Sequence, residues 1–236
     1  MYTGTFIQQL PMSELIEHLK QKHGLWQGNA QHQPIDAHPT GFALLDCKLE
    51  GGFPNQGVIE LQSVTGIGEL RLLLPHLLNS SKERMSVFIQ PPGYLCAEML
   101  VEQGFDLDQI LLIYPDNPQH ALWAAEQCLK SGACSNVLLW QSELEVHQAR
   151  RLQVASETGR CLHFLFKQPQ QHLFSLPVSL SMRLEPHHHG LTVTITKRKG
   201  GWPHGSFVLD MRSRWSQLVI AEPQPVVIPF PLRKQG

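Results

Sequence analysis

In VIELQSVTGIGELRLLLPHL, Val58 to Leu77, an apolar strand-like run enters a loop with two glycines and leaves it as a leucine-rich segment of helical spacing. That is the layout of a strand, a phosphate loop and a helix. A working phosphate loop reads G-x-x-x-x-G-K-[ST], because backbone N–H groups, a lysine and a metal-binding hydroxyl must all meet the phosphates. Laid over that pattern, Ser63 stands at the first glycine and Gly68 at the second, with Gly66 between them. Glu69 takes the place of the lysine and Leu70 that of the hydroxyl. At about 5 Å and an effective dielectric near 20, a unit charge pair is worth roughly 3 kcal/mol. Reversing its sign therefore costs on the order of 6 kcal/mol, about 10⁴-fold in affinity. The pattern predicts an emptied loop with no Mg²⁺-dependent nucleotide site. Pro75 lacks an N–H and is comfortable only in a first turn or at a kink, so the helix is expected to start near Arg71 or Leu72. Glu69 would then lie beside the helix's positive end, in the electrostatic role of the phosphate.

Outward from this segment the chain alternates. GFALLDCKL and the turn EGGFPNQG precede the first strand; MSVFIQ, ILLIYP, NVLLW and CLHFLF follow as apolar runs separated by helical segments. Continuous apolar strands alternating with helices predict an α/β fold with a mainly parallel sheet covered on both faces. HALWAAEQCLKSG and HQARRLQVASETG are two of those helices. After Gln168, LSMRLEP, LTVTITKRK and SFVLDMRSR alternate without helices between them, which predicts an antiparallel strand extension near the C-terminus.

The ends read differently. Residues 1–38 combine an amphipathic helix over 13–26 with the polar linker QGNAQHQPIDAHPT, and residues 222–236 form a proline-rich tail. Residues 39–221 are then the main domain. Of 236 residues, 42% are hydrophobic and 17% charged, and the formal net charge is −1. This is a globular composition with no global basic field for nucleic acid. The five cysteines lack a C-x-x-C pair, so neither a zinc site nor a disulfide framework is expected, and a cytoplasmic location is. No run reaches the roughly 18 apolar residues that span a bilayer, and no signal peptide is read at the N-terminus.

PTGFALLDCKLEGGFPNQGVIEL resembles the entry to the RecA core, and the likeness continues through VFIQPPGYL, QGFDLDQILLIYPDN and NVLLW, over roughly residues 39–167. GIGELRLLLP, LWAAEQCLKSGAC and ARRLQ make the closer resemblance that of the ImuA family, small proteins of damage-inducible translesion-synthesis cassettes; SulA is a shorter relative. The resemblance implies a RecA-like core. The acid that orients the attacking water in that fold falls at Gln90–Pro91–Pro92, and the Walker B aspartate at Trp140 or Gln141, so no ATPase chemistry, no catalytic residue and no cofactor are expected. It further implies a non-catalytic accessory role in SOS-induced translesion synthesis. The implied partners are an ImuB-like Y-family polymerase homologue, an error-prone C-family DNA polymerase and RecA. Two alternatives stand beside it: a SulA-like cell division inhibitor that binds FtsZ, and an ATP-binding enzyme with a non-standard site.

Lys197, Arg198, Lys199 and Trp202, followed by Arg212, Arg214 and Trp215 on the next strand, combine cations with aromatics. Such a set serves a protein partner or a nucleic-acid strand, or simply protects a hairpin edge. Direct DNA contact is left open by these residues. Trp26 and Phe230, in the two terminal segments, are further candidate contacts for a partner. His187–His188–His189 are expected in a solvated loop, since consecutive strand residues cannot all face one metal ion. Trp123 and Trp140 are expected in the core, and Arg150 and Arg151 in surface ion pairs with Glu143 and Glu145.

Overall fold

The computed structural model describes residues 37–80, 84–169, 176–201 and 204–215. A two-residue ribbon comes first: β1 (Ala37–His38) pairs antiparallel with β2 (Phe53–Pro54), and α1 (Ala43–Lys48) lies between them in sequence. The ribbon draws residues 37 and 38 into the folded unit, two residues earlier than the sequence boundary. Two side-chain oxygens organise this entry: the Thr40 N–H donates to Asp46 Oδ1 at 2.7 Å, and the Phe42 N–H to Thr40 Oγ1 at 3.2 Å.

The main sheet has eight strands. They are β3 (Gly57–Gln62), β4 (Met85–Ile89), β5 (Ile110–Ile113), β6 (Cys134–Trp140), β7 (Leu162–Lys167), β8 (Leu180–His187), β9 (Gly190–Arg198) and β10 (Ser206–Asp210). Their spatial order is β10-β9-β8-β3-β7-β6-β4-β5. From β8 to β5 every neighbouring pair is parallel, and only β9 and β10 run antiparallel to their neighbours. The antiparallel extension therefore starts one strand later than the loss of helices suggests. β8 follows β7 without a helix, yet still pairs parallel with β3.

Period-two alternation sorts the strand side chains to two cores. Ile59, Leu61, Phe88, Leu138, Phe164 and Phe166 face α1, α2 (Glu69–Ser80) and α3 (Ala97–Glu102). Val58, Val87, Ile89, Val137, Leu139 and Leu165 face α4 (Pro118–Lys130) and α5 (Val146–Gly159). α4 starts where Asn117 accepts the His120 N–H at 2.8 Å with Pro118 in the first turn. Ala121, Ala125 and Leu129 form its inward stripe at i, i+4 and i+8. Trp123 is two residues off that stripe, about 200° around the helix. It is 64% exposed, which corrects its expected place in the core. α4 and α5 pack very closely at Gly159, where an added Cβ would fall 1.8 Å from the Leu129 carbonyl oxygen.

Three further expectations change. α2 starts at Glu69, not at Arg71 or Leu72, since the Leu72 N–H already donates to the Gly68 carbonyl at 3.1 Å. Pro75 thus sits inside the helix, where its missing N–H deprives the Arg71 carbonyl of its intrahelical partner. Its ring is received by Gly41, at φ +91°, where a Cβ would fall 2.4 Å from Pro75 Cβ. The segment after β10 is not strand but a short helix, α6 (Arg212–Trp215). Arg151 pairs with Glu126 on α4 rather than with Glu143 or Glu145. Helix spacing explains this: Arg151 faces the neighbouring helix, while Glu145 takes the helix start, donating its N–H to Gln148 Oε1 at 2.9 Å.

Candidate functional site

The loop between β3 and α2 turns on two glycines with positive φ, Gly66 at +88° and Gly68 at +106°. Both face open space, so backbone conformation rather than room sets the requirement for glycine. This geometry turns the N–H groups of residues 66 and 68 inward, as a phosphate loop does. The Gly66 N–H donates to Glu69 Oε1 at 2.9 Å, and the Gly68 N–H to Glu69 Oε2 at 3.0 Å. The Glu69 side chain is buried, 5% exposed, and stands in the first turn of α2, where the helix dipole favours an anion. A carboxylate of this chain thus sits where a phosphate loop receives its ligand. Leu70, at the metal-binding position, packs with Ile67 against the core on the α2 side of the sheet. Ser63 is buried and donates its N–H to the Lys167 carbonyl at 3.0 Å, which ties the loop to β7.

The cavity at this loop is about 150 Å³, lined among others by Ser63, Thr65, Glu69, Trp140, Gln141 and Lys167. It adjoins a cleft of about 1000 Å³ that shares Trp140, Gln141, Ser142 and Lys167 with it. Trp140 stands at the end of β6, where a Walker B acid would be, and stacks face to face on Phe166 with ring centroids 4.3 Å apart. Phe88 continues the stack at 6.4 Å. Gln90, at the position of the water-orienting acid, has φ +55° and is exposed.

One buried polar network beside this loop escaped the sequence reading. Lys167 Nζ lies 3.5 Å from Glu60 Oε1, and each side chain is only 5% exposed. Glu60 Oε2 also accepts from Ser181 Oγ at 2.7 Å, and that hydroxyl accepts from Thr196 Oγ1 at 3.0 Å. The network crosses β7, β3, β8 and β9. Its signal in the sequence is a glutamate inside VIEL and a lysine closing CLHFLFK, but period and spacing alone do not pair them.

The expected basic and aromatic cluster does not form one surface. Lys197 donates to the Leu176 carbonyl at 2.5 Å, and Arg198 to Glu50 Oε2 at 3.0 Å. Lys199 is 3.7 Å from Glu157 and largely exposed. Arg212 is at the other end of the hairpin. Met211 donates its N–H to the His189 carbonyl at 2.8 Å, so the α6 residues lie near the start of β9 while Arg198 closes it. Eight strand residues separate the two ends, roughly 27 Å at ~3.4 Å each. Arg212 forks onto Asp210, whose carboxyl is held down to about 2 chiefly by that hydrogen bond. Arg214 lies 6.0 Å from the Phe42 ring. Trp215 is buried, 8% exposed, which corrects its expected place on a partner surface. Trp26, Trp202 and Phe230 lie outside the described residues. His187 to His189 make the tight turn between β8 and β9, with the His189 N–H donating to His187 Nδ1 at 3.1 Å. Exposed apolar side chains lie elsewhere: Trp123 on α4, Leu111 and Leu112 on β5, the edge strand of the sheet, and Tyr114 just after it.

A mainly parallel sheet in this order, with a glycine loop after its first long strand and a carboxylate in that loop, defines a RecA-like α/β protein with an altered phosphate loop. The family model described as cell division inhibitor SulA matches residues 60–163. RecA of Streptomyces ambofaciens is 32% identical over 114 residues, 48% of this chain and 31% of the relative. RecA of Acidothermus cellulolyticus is 28% identical over 142 residues, 58% of this chain and 41% of the relative. The crystal structure of SulA from Pseudomonas aeruginosa aligns at 26% identity over 47% of this chain and 98% of that chain, with a TM-score of 0.40. The chain spans about a third of the length of the first of these RecA relatives. It is similar in sequence to SulA over residues 60–163 and to RecA over about half of its own length. Among the described residues no helix is long and apolar enough to cross a membrane.

Proposed function

We propose that this protein is a non-catalytic, cytoplasmic accessory factor of SOS-induced translesion DNA synthesis, a RecA-like scaffold that binds other proteins. Its partners in this reading are an ImuB-like Y-family polymerase homologue, an error-prone C-family polymerase and RecA. The observation that carries the reading is Glu69, whose carboxylate accepts the two loop N–H groups at 2.9 and 3.0 Å. A fold of RecA type with that change keeps its shape while its ligand site is filled from within. The exposed Trp123 supports a protein-binding role, because tryptophan is enriched at interface hot spots.

Capture of the tagged full-length chain from DNA-damaged host cells tests the reading, alongside variants lacking residues 1–38 or 222–236. Recovery of polymerase subunits or RecA is expected. Recovery of FtsZ instead, with cells that filament on overexpression, would favour the division-inhibitor reading, to which the SulA family match lends its own support. ATP hydrolysis above the blank, abolished by a change at Glu69, would overturn the non-catalytic assignment.

A further inference from the structure

A separate cavity lies at the opposite end of the sheet from the glycine loop. It measures about 800 Å³ and is bordered by Gln56 before β3, Arg84 before β4, Arg160 after α5, Leu180 at the start of β8 and Arg198 at the end of β9. Ligands of open α/β sheets usually bind at the carboxyl ends of the strands, so this basal position is not the one the fold itself favours.

Its charges are unbalanced. Arg84, Arg160, Arg198 and Lys199 line it against Glu50 and Glu157, leaving four cations to two carboxylates. Arg84 is committed to structure: its Nη1 and Nη2 donate to the Gly159 and Arg160 carbonyls, at 3.2 and 2.9 Å, closing the C-terminus of α5. The other three cations have capacity left. The Arg160 side chain makes no hydrogen bond or ion pair among the described residues. Among the described residues the Lys199 side chain has only its loose 3.7 Å contact with Glu157, and such exposed pairs contribute little. Arg198 presents only part of its side chain to the cavity. Its side chain is 9% exposed, Nη2 is paired with Glu50, and Nη1 is buried with no hydrogen-bond partner. Nη1 packs against Gly201 and is closed off from the cavity, so a ligand would meet Arg198 only through its remaining exposed atoms.

Two helix ends shape the rim of the cavity. Among the described residues three non-glycines have positive φ, and two of them, Glu50 at +53° and Arg160 at +49°, line this cavity. Arg160 occupies the left-handed position after α5, where glycine is the residue of lower energy. Glu50 and Arg160 both end helices: the Gly51 N–H donates to the Asp46 carbonyl at 2.8 Å and the Cys161 N–H to the Ser156 carbonyl at 3.0 Å, the bonds of a helix C-terminal turn. Leu49, Pro54 and Leu180 supply an apolar wall beside the cations.

We propose that this basal cavity binds a small phosphorylated ligand of nucleotide size, its phosphate held by Arg198, Arg160 and Lys199 and its apolar part resting on Leu49, Pro54 and Leu180. A phosphate dianion balances the two excess positive charges, and guanidinium groups match its oxygens two at a time. The volume is within the range of small-molecule sites. The proposal is independent of the accessory role and needs neither Mg²⁺ nor the glycine loop.

Calorimetric titration of the full chain without Mg²⁺ tests it, with ADP, inorganic pyrophosphate and a short single-stranded oligonucleotide as probes. One-to-one binding of ADP or pyrophosphate is expected, weakened about tenfold or more by Arg160→Gly and by Arg198→Gln. Arg183→Ala removes an exposed cation outside the cavity and should leave the affinity within about twofold. Glycine suits the backbone at position 160, so Arg160→Gly remains informative even if Arg198→Gln fails to fold. Absence of saturable binding by both small probes, binding that survives Arg160→Gly, or binding of the oligonucleotide alone would each overturn the proposal.

Discussion

Gly66 gives its backbone N–H to Glu69 Oε1 at 2.9 Å, inside a loop whose geometry is otherwise that of an anion cradle. The chain supplies its own anion. With Glu69→Ala, two charge-assisted hydrogen bonds disappear and the N–H groups of residues 66 and 68 face an empty cavity. Stability should fall by about 1.5–3 kcal/mol in urea denaturation. The vacated N–H groups should then accept sulfate or phosphate. A loop-dependent rise in Tm with sulfate, present in Glu69→Ala and absent from the parent chain, is the expected result. An unchanged stability would mean that the carboxylate contributes nothing to the loop.

The buried pair Glu60 and Lys167 makes a second, separable prediction. Lys167→Met removes one partner and leaves the Glu60 carboxylate in a site that is 5% exposed, with only its hydroxyl and amide donors. Such a change destabilises by about 3–5 kcal/mol. Adding Glu60→Gln to Lys167→Met should recover part of that loss, because the uncompensated charge is gone. Additive losses in the double-mutant cycle would show that the two groups are not coupled.

Much of this architecture is legible in the residues, and where it is not the reason is physical. The alternation of VIEL, SVFI, NVLLW and HFLF with amphipathic helices fixes a parallel sheet, because local period and burial agree there. Glu69 is legible too, since charge and position in the motif suffice. Trp123 is not legible in the same way, because apolar character does not give direction, and the alanines at 121 and 125 define the inward stripe. Trp215 is misread for the opposite reason: its neighbours Arg212 and Arg214 are polar, but a turn of helix carries the indole back into the core. The cluster of cations around Arg198 divides because sequence distance says nothing of which end of a hairpin a residue occupies. The basal cavity is assembled from turns far apart in the chain, and no local pattern announces it.

Trp123 makes the third prediction. It is 64% exposed on α4, beside Arg151 and Leu152, which with it line a shallow cleft between α4 and α5. Trp123→Ala should leave stability within about 0.5 kcal/mol, as exposed substitutions usually do. In the capture experiment the same variant should recover much less of the partner, since truncating a hot-spot tryptophan removes about 2 kcal/mol or more of binding, some thirtyfold in affinity. Undiminished recovery would take the α4 face out of the interface and leave the β5 edge as the next surface to alter.

His76 and His163 set the behaviour in acid. Burial holds each imidazole down to about 4, the dominant influence at both positions. His163 Nδ1 lies 2.9 Å from the Val137 carbonyl and His76 Nδ1 3.4 Å from that of Pro39, so the proton of the neutral ring belongs on Nδ1. Nε2 of His163 is buried without a partner, so protonation would place an unpaired N–H there, while at His76 burial outweighs the Pro39 carbonyl and Asn136, which favour the charged ring. Between about pH 6.5 and 4 the unfolded chain therefore binds more protons than the folded one, and stability rises with pH. Their contribution is complete above about pH 6.5 and is lost as the pH falls toward 4, on the order of 3 kcal/mol for each histidine. Urea midpoints measured from pH 7.5 to 4.5 should fall steadily below 6.5, and the slope should be roughly halved in His163→Gln, whose amide can keep the bond to Val137 without titrating. Carboxylates common to both chains cancel in that comparison. A parent chain and variant with the same slope would show that His163 is protonated in the folded state as readily as in the unfolded one.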